Sequence, residues 1–137
     1  KSALFYFSAV KTDGNYDRLQ KLVSYGVMAW EARPSAIKEL GAYVKTKPKT
    51  VDLLIDFLYD KDRFVRREAI NQLSKHGSRS HFAALESVKE SDPVLTVNVL
   101  RAKKAIEKRD TKKETKKEKN VDELRRIVDD IQKLIDQ

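Results

Sequence analysis

The clearest structural signal in the chain is residues 60–77, DKDRFVRREAINQLSKHG. Val65, Ala69 and Leu73 follow one another at intervals of four, which puts apolar side chains on one stripe of a helix. Acidic residues come first, where a carboxylate can cap a helix, and Gly77 comes last, where a helix commonly ends. We therefore predict one amphipathic helix that follows a short acidic turn and stops at the glycine.

Similar patterns lie on both sides of this stretch. Apolar spacing predicts helices at residues 2–11, 16–25, 27–44 with a break at Pro34, 50–59, 64–76, 80–90 and 94–109. The acidic turns at 60–62 and 91–93 lie about 30 residues apart, a spacing typical of stacked helical hairpins that share one core. We predict an all-α fold, an α-solenoid of helical hairpins over residues 1–110.

Short signals predict where these helices begin and end. Asp13-Gly14-Asn15 is typical of a turn, and Gly26 is expected just past a helix end. Pro34 suits the first turn of a new helix, because that position needs no N–H group. Asp92 before Pro93 predicts another helix start, with the Asp92 carboxylate capping the first N–H groups.

Composition narrows the class of protein further. The 137 residues suffice for one domain, and four Gly with three Pro favour helices over a turn-rich β-fold. The chain has no cysteine, which excludes disulfides and thiolate metal sites and fits a reducing compartment, so we predict a cytoplasmic location. No apolar run approaches the ~20 residues that span a bilayer, and we expect no membrane partner. Because the chain opens on Lys1, we expect it to be a piece of a longer protein.

No constellation of side chains predicts catalysis. The two histidines, His76 and His81, have no nearby cysteine and no H-E-x-x-H motif. Asp60 and Asp62 lack the spaced oxygen ligands of a calcium loop, so helix capping is the expected role of both. We predict no catalytic, cofactor-binding or metal-ligating residue in this chain.

The net charge of +8 raises the prospect of a basic binding surface. The candidate residues for such a surface are Arg63, Arg66, Arg67, Arg101 and Lys104. If the hairpins stack in register, these residues form a stripe on one face of the solenoid. The alternative is a solvated helical face with internal ion pairs, which is the commoner origin of such clusters.

The C-terminal part differs in composition. Residues 107–119 hold seven basic and four acidic residues, a composition typical of a solvated linker or an exposed helix and less often of an arm that binds nucleic acid or anions. We predict a charged linker over 111–119. Asn120 and Glu123 resemble a capping box that opens an amphipathic helix at 120–137. That helix carries a short a/d seam of Val121, Leu124, Val128, Ile131 and Ile135. Two interpretations stay open: a capping helix that packs on the solenoid, or a helix for a partner or for dimerisation.

Residues 60–77 resemble the second half of a HEAT repeat, D-x-D/P-x-x-V-R-x-x-A-x-x-x-L-x-x-x-G. The resemblance implies that Val65, Ala69 and Leu73 pack inward and that Arg66 reaches an aspartate of a neighbouring repeat. The next hairpin departs from this pattern, because Thr96 and Lys103 stand where the arginine and the leucine are expected.

A second resemblance involves several short sequence motifs before residue 42. They are similar to the C-terminal helical domain of aminopeptidase N-like zinc metallopeptidases: Asn15-Tyr16-Asp17-Arg18-Leu19, Ser24-Tyr25-Gly26, Arg33-Pro34, Ala36-Ile37 and Leu40-Gly41. The resemblance implies a non-catalytic module that supports or walls off a catalytic cavity. Its partner would be an upstream catalytic domain of the same chain, which would hold the zinc.

Two other functions fit the same fold. One is a free-standing HEAT adaptor that binds protein partners by its concave face or by its terminal helix. The other is a solenoid that binds nucleic acid through the basic stripe.

Overall fold

The computed structural model describes residues 12–24 and 32–137. The predicted helix at 2–11, the helix end at Gly26 and the side chains of Tyr25 and Trp30 lie outside these residues. Within them the chain forms six α-helices, and the predicted all-α class is confirmed. The helices are α1 (Asp13–Ser24), α2 (Arg33–Gly41), α3 (Thr50–Phe57), α4 (Arg63–His76), α5 (Phe82–Ser91) and α6 (Thr96–Ile135). Short 3-10 helices at Arg79–His81 and Pro93–Leu95 precede α5 and α6.

Two helix starts agree with their sequence signals and one does not. Pro34 lies in the first turn of α2, and Asp62 caps α4 by accepting a 2.8 Å hydrogen bond from the Phe64 N–H. The predicted turn at Asp13–Asn15 is wrong, because these residues form the first turn of α1. The Thr12 hydroxyl accepts a 3.2 Å bond from the Asn15 N–H, so a threonine one residue earlier stabilises this helix start.

Three helical hairpins share one apolar core. They are α1 with α2, α3 with α4, and α5 with the part of α6 that ends at Ile106. Val65, Ala69 and Leu73 are fully buried, which confirms the inward-facing stripe expected of α4. In each hairpin we call the helix that comes first in the chain the first helix and the other the second helix. Buried side chains of both kinds of helix belong to the same core, which is continuous across the hairpins: Leu19, Ile37, Leu40, Leu54, Leu58, Ile70, Leu85, Leu95 and Ile106.

The chain divides into two compact units, with the division between Ile106 and Glu107. In the second unit the backbone is helical without a break to Ile135, so residues 111–119 form an exposed helix and the helix start predicted at Asn120 is wrong. A capping residue needs a non-helical backbone, and Asn120 lies inside the helix. The lysines and glutamates of this segment are strong helix formers, and the hydroxyls of Thr111 and Thr115 donate to carbonyls four residues earlier.

Candidate protein-binding surface

Arginine–aspartate contacts join each hairpin to the next. Arg33, at the start of α2, donates two hydrogen bonds of 3.2 and 2.6 Å to the Asp60 carboxylate in the turn before α4. The same carboxylate accepts the Asp62 N–H at 3.0 Å. Burial alone would raise the pKa of Asp60, but the hydrogen bonds from Arg33 and Asp62 lower it overall. Asp60 is therefore an acceptor between hairpins rather than the helix cap that the sequence predicts.

The contact recurs one hairpin later. Arg66 Nη2 lies 2.7 Å from Asp92 Oδ2, which confirms that Arg66 reaches an aspartate of the neighbouring repeat. Arg63 donates to the same carboxylate at 2.8 and 3.2 Å. These two arginines lower the pKa of Asp92 to about 2. The predicted capping role of Asp92 is wrong, because its oxygens are directed toward α4 and make no capping bond to the helix that follows.

These contacts align the second helices of the hairpins side by side. Between α2 and α4 the arginine contact joins the two starts, while Gly41 lies directly against the Gln72 side chain near the two ends. Between α4 and α6, Asp92 joins the starts, and a methyl group on Gly77 would lie 3.4 Å from Ile106 Cδ1. The second helices therefore run in the same direction, and their outward sides form one continuous face.

The charge of this face has one sign. On α2, α4 and α6 up to Ile106, every exposed charged side chain of the described residues is basic: Lys38, Arg63, Arg67, Lys75, Arg101 and Lys104. The first helices differ, since their exposed charges are mainly acidic. The acidic residues are Asp13, Asp17, Asp52, Asp56 and Glu90, and the basic ones are Arg18 and Lys21. The repeat unit is thus basic on its second helices and mainly acidic on its first. We call the outward side of the second helices the basic face.

Apolar side chains interrupt the basic face. Phe64 is 49% exposed, Val97 55% and Leu100 46%. The Arg67 guanidinium lies 5.1 Å from the centre of the Phe64 ring, so the arginine covers one side of that ring. Exposed aliphatic groups next to cations provide contact area for apolar side chains of a partner as well as charge.

The five basic residues singled out in the sequence divide into two groups. Arg66 is largely buried between Asp60 and Asp92, and Arg63 is also bound to Asp92, so both join hairpins. Arg67, Arg101 and Lys104 are exposed on the basic face. Helical spacing alone does not separate these groups, because only the neighbouring hairpin supplies the aspartate. Lys75 belongs to the same basic cluster in the sequence, whereas Lys38 is missed by sequence reasoning, although its position on the polar side of an amphipathic helix could have indicated it.

Two titratable groups outside the basic face, His81 and Glu86, have structural partners. His81 Nδ1 accepts the Ser78 N–H at 2.9 Å, within a local cap of the 3-10 helix. Glu86 binds both Lys89 and Lys103, and the hydrogen bond from Lys103 is the main reason that its pKa falls to about 2. Among the described residues, His, Asp and Glu nowhere form a group of three that could hold a metal ion.

Successive helical hairpins with their second helices side by side define an α-solenoid repeat protein. A family model of HEAT repeats matches residues 19–102, more than half of the chain, and the chain belongs to this family. The predicted HEAT-repeat fold is thereby confirmed. No curated protein and no solved structure matches the chain. Among the described helices, none combines the length and the apolar character needed to cross a membrane.

Proposed function

We propose that this chain is a non-catalytic HEAT-repeat module that binds an extended acidic segment of a protein partner on the basic face. The charge of the second helices carries the proposal. Side chains from three consecutive hairpins contribute to the face, so a partner that lies across the helices meets Lys38, then Arg67 and Lys75, then Arg101 and Lys104. Positive charges of this kind attract acidic partners and speed their association.

The apolar groups favour a protein segment over nucleic acid. Single-stranded nucleic acid binds through stacking of bases on exposed aromatic rings. Phe64 is the aromatic side chain exposed on the described part of the basic face, and Arg67 covers one side of its ring. Val97 and Leu100 match aliphatic side chains of a peptide better than they match phosphates. The preferred ligand is therefore a segment in which Asp or Glu alternates with Leu, Val or Ile.

A peptide array tests this proposal directly. The labelled chain is applied to peptides of about 12 residues that carry Asp and Glu among aliphatic residues. The array also holds the same peptides with Asn and Gln in place of the acids. We expect binding to the acidic set, and a Kd for the best peptide that rises steeply with salt, since exposed charges are screened within about 10 Å at 0.1 M salt.

Two matched double variants locate the binding face. Arg101→Glu/Lys104→Glu reverses two charges on α6, while Arg18→Glu/Lys21→Glu makes the same charge change on α1. We expect the first variant to weaken binding of the best peptide by roughly tenfold or more, which is about 1.4 kcal/mol. The second should bind nearly as the parent chain does. Equal losses in both variants would contradict the basic face, and tighter binding of duplex DNA than of any peptide would replace the protein partner by nucleic acid.

We also propose that the natural protein is larger and resembles the aminopeptidase N-like zinc metallopeptidases. In that setting the module would support or wall off the catalytic cavity, and its partner would be the upstream, zinc-holding domain in the cytoplasm. The support for this larger protein is the set of short sequence motifs shared at residues 15–41. Packing accounts for several of the residues that the structure describes, because Tyr16, Leu19 and Leu40 are buried in the core and Arg33 binds Asp60, whereas Asp17 and Arg18 are exposed.

The mass and zinc content of the natural polypeptide, captured with an antibody against this chain, test the larger protein. A polypeptide several times larger, with about one zinc per molecule, would support it. A polypeptide close to 15.8 kDa without zinc would reject it. That outcome would leave the proposed binding to acidic peptides unaffected, since the latter is measured on this chain alone.

A further inference from the structure

The second compact unit carries an apolar stripe that its own helix leaves exposed. Seven side chains form it, and each is between 46% and 71% exposed: Val121, Leu124, Ile127, Val128, Ile131, Leu134 and Ile135. At about 100° per residue they fall within an arc of roughly 140°, and every other residue from 122 to 137 falls outside that arc. We call these seven residues the C-terminal stripe. Isolated surface leucines are common, but seven on one side of four turns indicate a surface that becomes covered.

We propose that the C-terminal stripe binds a second copy of this chain, with the two helices parallel. The two edges of the stripe supply the argument. Glu123 and Asp130 lie along one edge, while Arg125 and Gln132 lie along the other. When two identical helices pack in parallel, the left edge of one meets the right edge of the other; here the apolar stripe includes the g position, so the edges are the e position on one side and the c position on the other. Arg125 of each copy then faces the acidic edge of its partner.

The opposite orientation is disfavoured by the same charges. In an antiparallel pair each edge meets its own counterpart, so Glu123 and Asp130 would face carboxylates of the second helix. Like charges at such positions are the usual means by which helices reject an orientation. The parallel pair removes this repulsion and adds two Arg125–carboxylate contacts.

Charge also argues against a lipid surface as the occupant. Helices that lie on membranes commonly carry Lys and Arg on the polar side, which attract anionic lipids. Residues 120–137 hold five acidic and three basic residues. The acidic excess would be repelled by such a surface, whereas it is accommodated when Arg125 of a second copy is adjacent.

The width and the length of the stripe determine how strongly two copies associate. A two-stranded coiled coil uses the a and d positions, here Val121, Leu124, Val128, Ile131 and Ile135. Ile127 and Leu134 widen the stripe by the g position, so two copies bury more apolar surface between them than a strict a/d seam would. Upstream, the a and d positions are Glu107, Asp110, Glu114 and Lys117, so the association stops near Asn120. Little more than two heptads remain, and the association is correspondingly weak.

Sedimentation equilibrium of the full chain, up to about 1 mM, tests the proposal, because such concentrations populate even an association with a Kd of about 1 mM. Two variants to the same residue are compared: Ile131→Gln in the stripe and Lys133→Gln on the opposite side of the helix. We expect the parent chain and Lys133→Gln to self-associate with similar constants, and Ile131→Gln to be at least tenfold weaker. A parent chain that is monomeric at every concentration would reject the second copy as the occupant, as would equal constants for the two variants.

Introduced cysteines test the orientation, since the chain has none of its own. Asn120→Cys and Ile135→Cys place thiols on the side of the stripe at its opposite ends, about 22 Å apart along a helix that rises 1.5 Å per residue. Parallel packing predicts that each variant forms disulfide-linked dimers when oxidised alone. Dimers that form only when the two variants are mixed would show antiparallel packing and overturn the parallel arrangement.

Discussion

Replacing Gly41 with alanine should destabilise the chain, although alanine is the better helix former. Gly41 ends α2 at its contact with α4, where an added Cβ would lie 2.8 Å from Gln72 Cδ and would overlap Gln72 Oε1. Gln72 is 2% exposed, so its side chain has little room to turn away, and its amide donates a 2.8 Å hydrogen bond to Glu68. The substitution therefore either displaces the buried Gln72 side chain from its bond to Glu68 or moves α2 away from α4.

The size of the effect follows from two opposing contributions. Overpacking of a dense core costs about 1–3 kcal/mol. Removing a glycine from a helix contributes about 0.5–1 kcal/mol in the other direction. The expected net loss for Gly41→Ala is thus about 1 kcal/mol, within a range of about 0–2.5 kcal/mol, most of it attributable to one side chain.

A double-mutant cycle isolates that side chain. In a Gln72→Ala background the obstacle is absent, so Gly41→Ala should stabilise the chain by about 0.5–1 kcal/mol and its effect should change sign. The free energy of unfolding is obtained from urea titrations followed by circular dichroism. The exposed helix beyond Glu107 is common to all four chains and cancels in the comparison. If Gly41→Ala has the same effect in both backgrounds, the contact between α2 and α4 is not as close as the structure has it.

Three further outcomes are expected. Folding lowers the pKa of Asp92 from 3.8 to about 2, so its stabilisation is complete above pH 3.8 and is lost as the pH falls toward 2. In thermal melts, Asp92→Asn should therefore be less stable at pH 6 and lose less than the parent between pH 4 and pH 2; parallel curves would contradict this. Leu73→Ala should cost about 2–5 kcal/mol in urea, and Phe64→Ala about 1 kcal/mol or less, because only the leucine is fully buried; similar losses would contradict this difference in burial. Asp62→Ala should cost about 1 kcal/mol through loss of the α4 cap, and Asp62→Asn should retain most of that stability.

The sequence predicts those features that depend on local spacing. Val65, Ala69 and Leu73 share a face in any α-helix, and Asp62 caps the helix that it precedes, so these predictions are confirmed. The roles of Asp60 and Asp92 depend on a different hairpin. Either carboxylate can cap a helix or accept an arginine from its neighbour, and only the stacking of the hairpins decides for the arginine. The continuity of the basic face across three hairpins similarly depends on how the hairpins stack.

The C-terminal helix shows a related limit. Asn120 and Glu123 have the spacing of a capping box, but the spacing does not indicate whether the preceding residues are already helical. Lys- and Glu-rich segments are read as linkers because they lack an apolar stripe, yet those residues have high intrinsic helix propensity. In residues 111–119 propensity prevails, and the helix passes through the predicted boundary. The a/d seam of this helix and the neighbouring positions of Ile127 and Leu134 follow from spacing, whereas the structure shows that all of these side chains are exposed.

The arginine–aspartate contacts between hairpins end at the third hairpin, whose second helix continues into the second compact unit. Thr96 occupies the position of Arg66 in the third hairpin, and its hydroxyl bonds the Pro93 carbonyl of its own turn at 2.6 Å. No described arginine at that position can join a further hairpin, and α6 instead continues into the helix that carries the C-terminal stripe. If both proposals hold, self-association through the stripe links several weak basic faces, and linked sites bind a multivalent ligand more tightly than single sites do. Ile131→Gln should then weaken capture on a surface densely coated with the acidic peptide, while leaving binding to the same peptide in solution unchanged. Loss of both would mean that the stripe itself contacts the peptide.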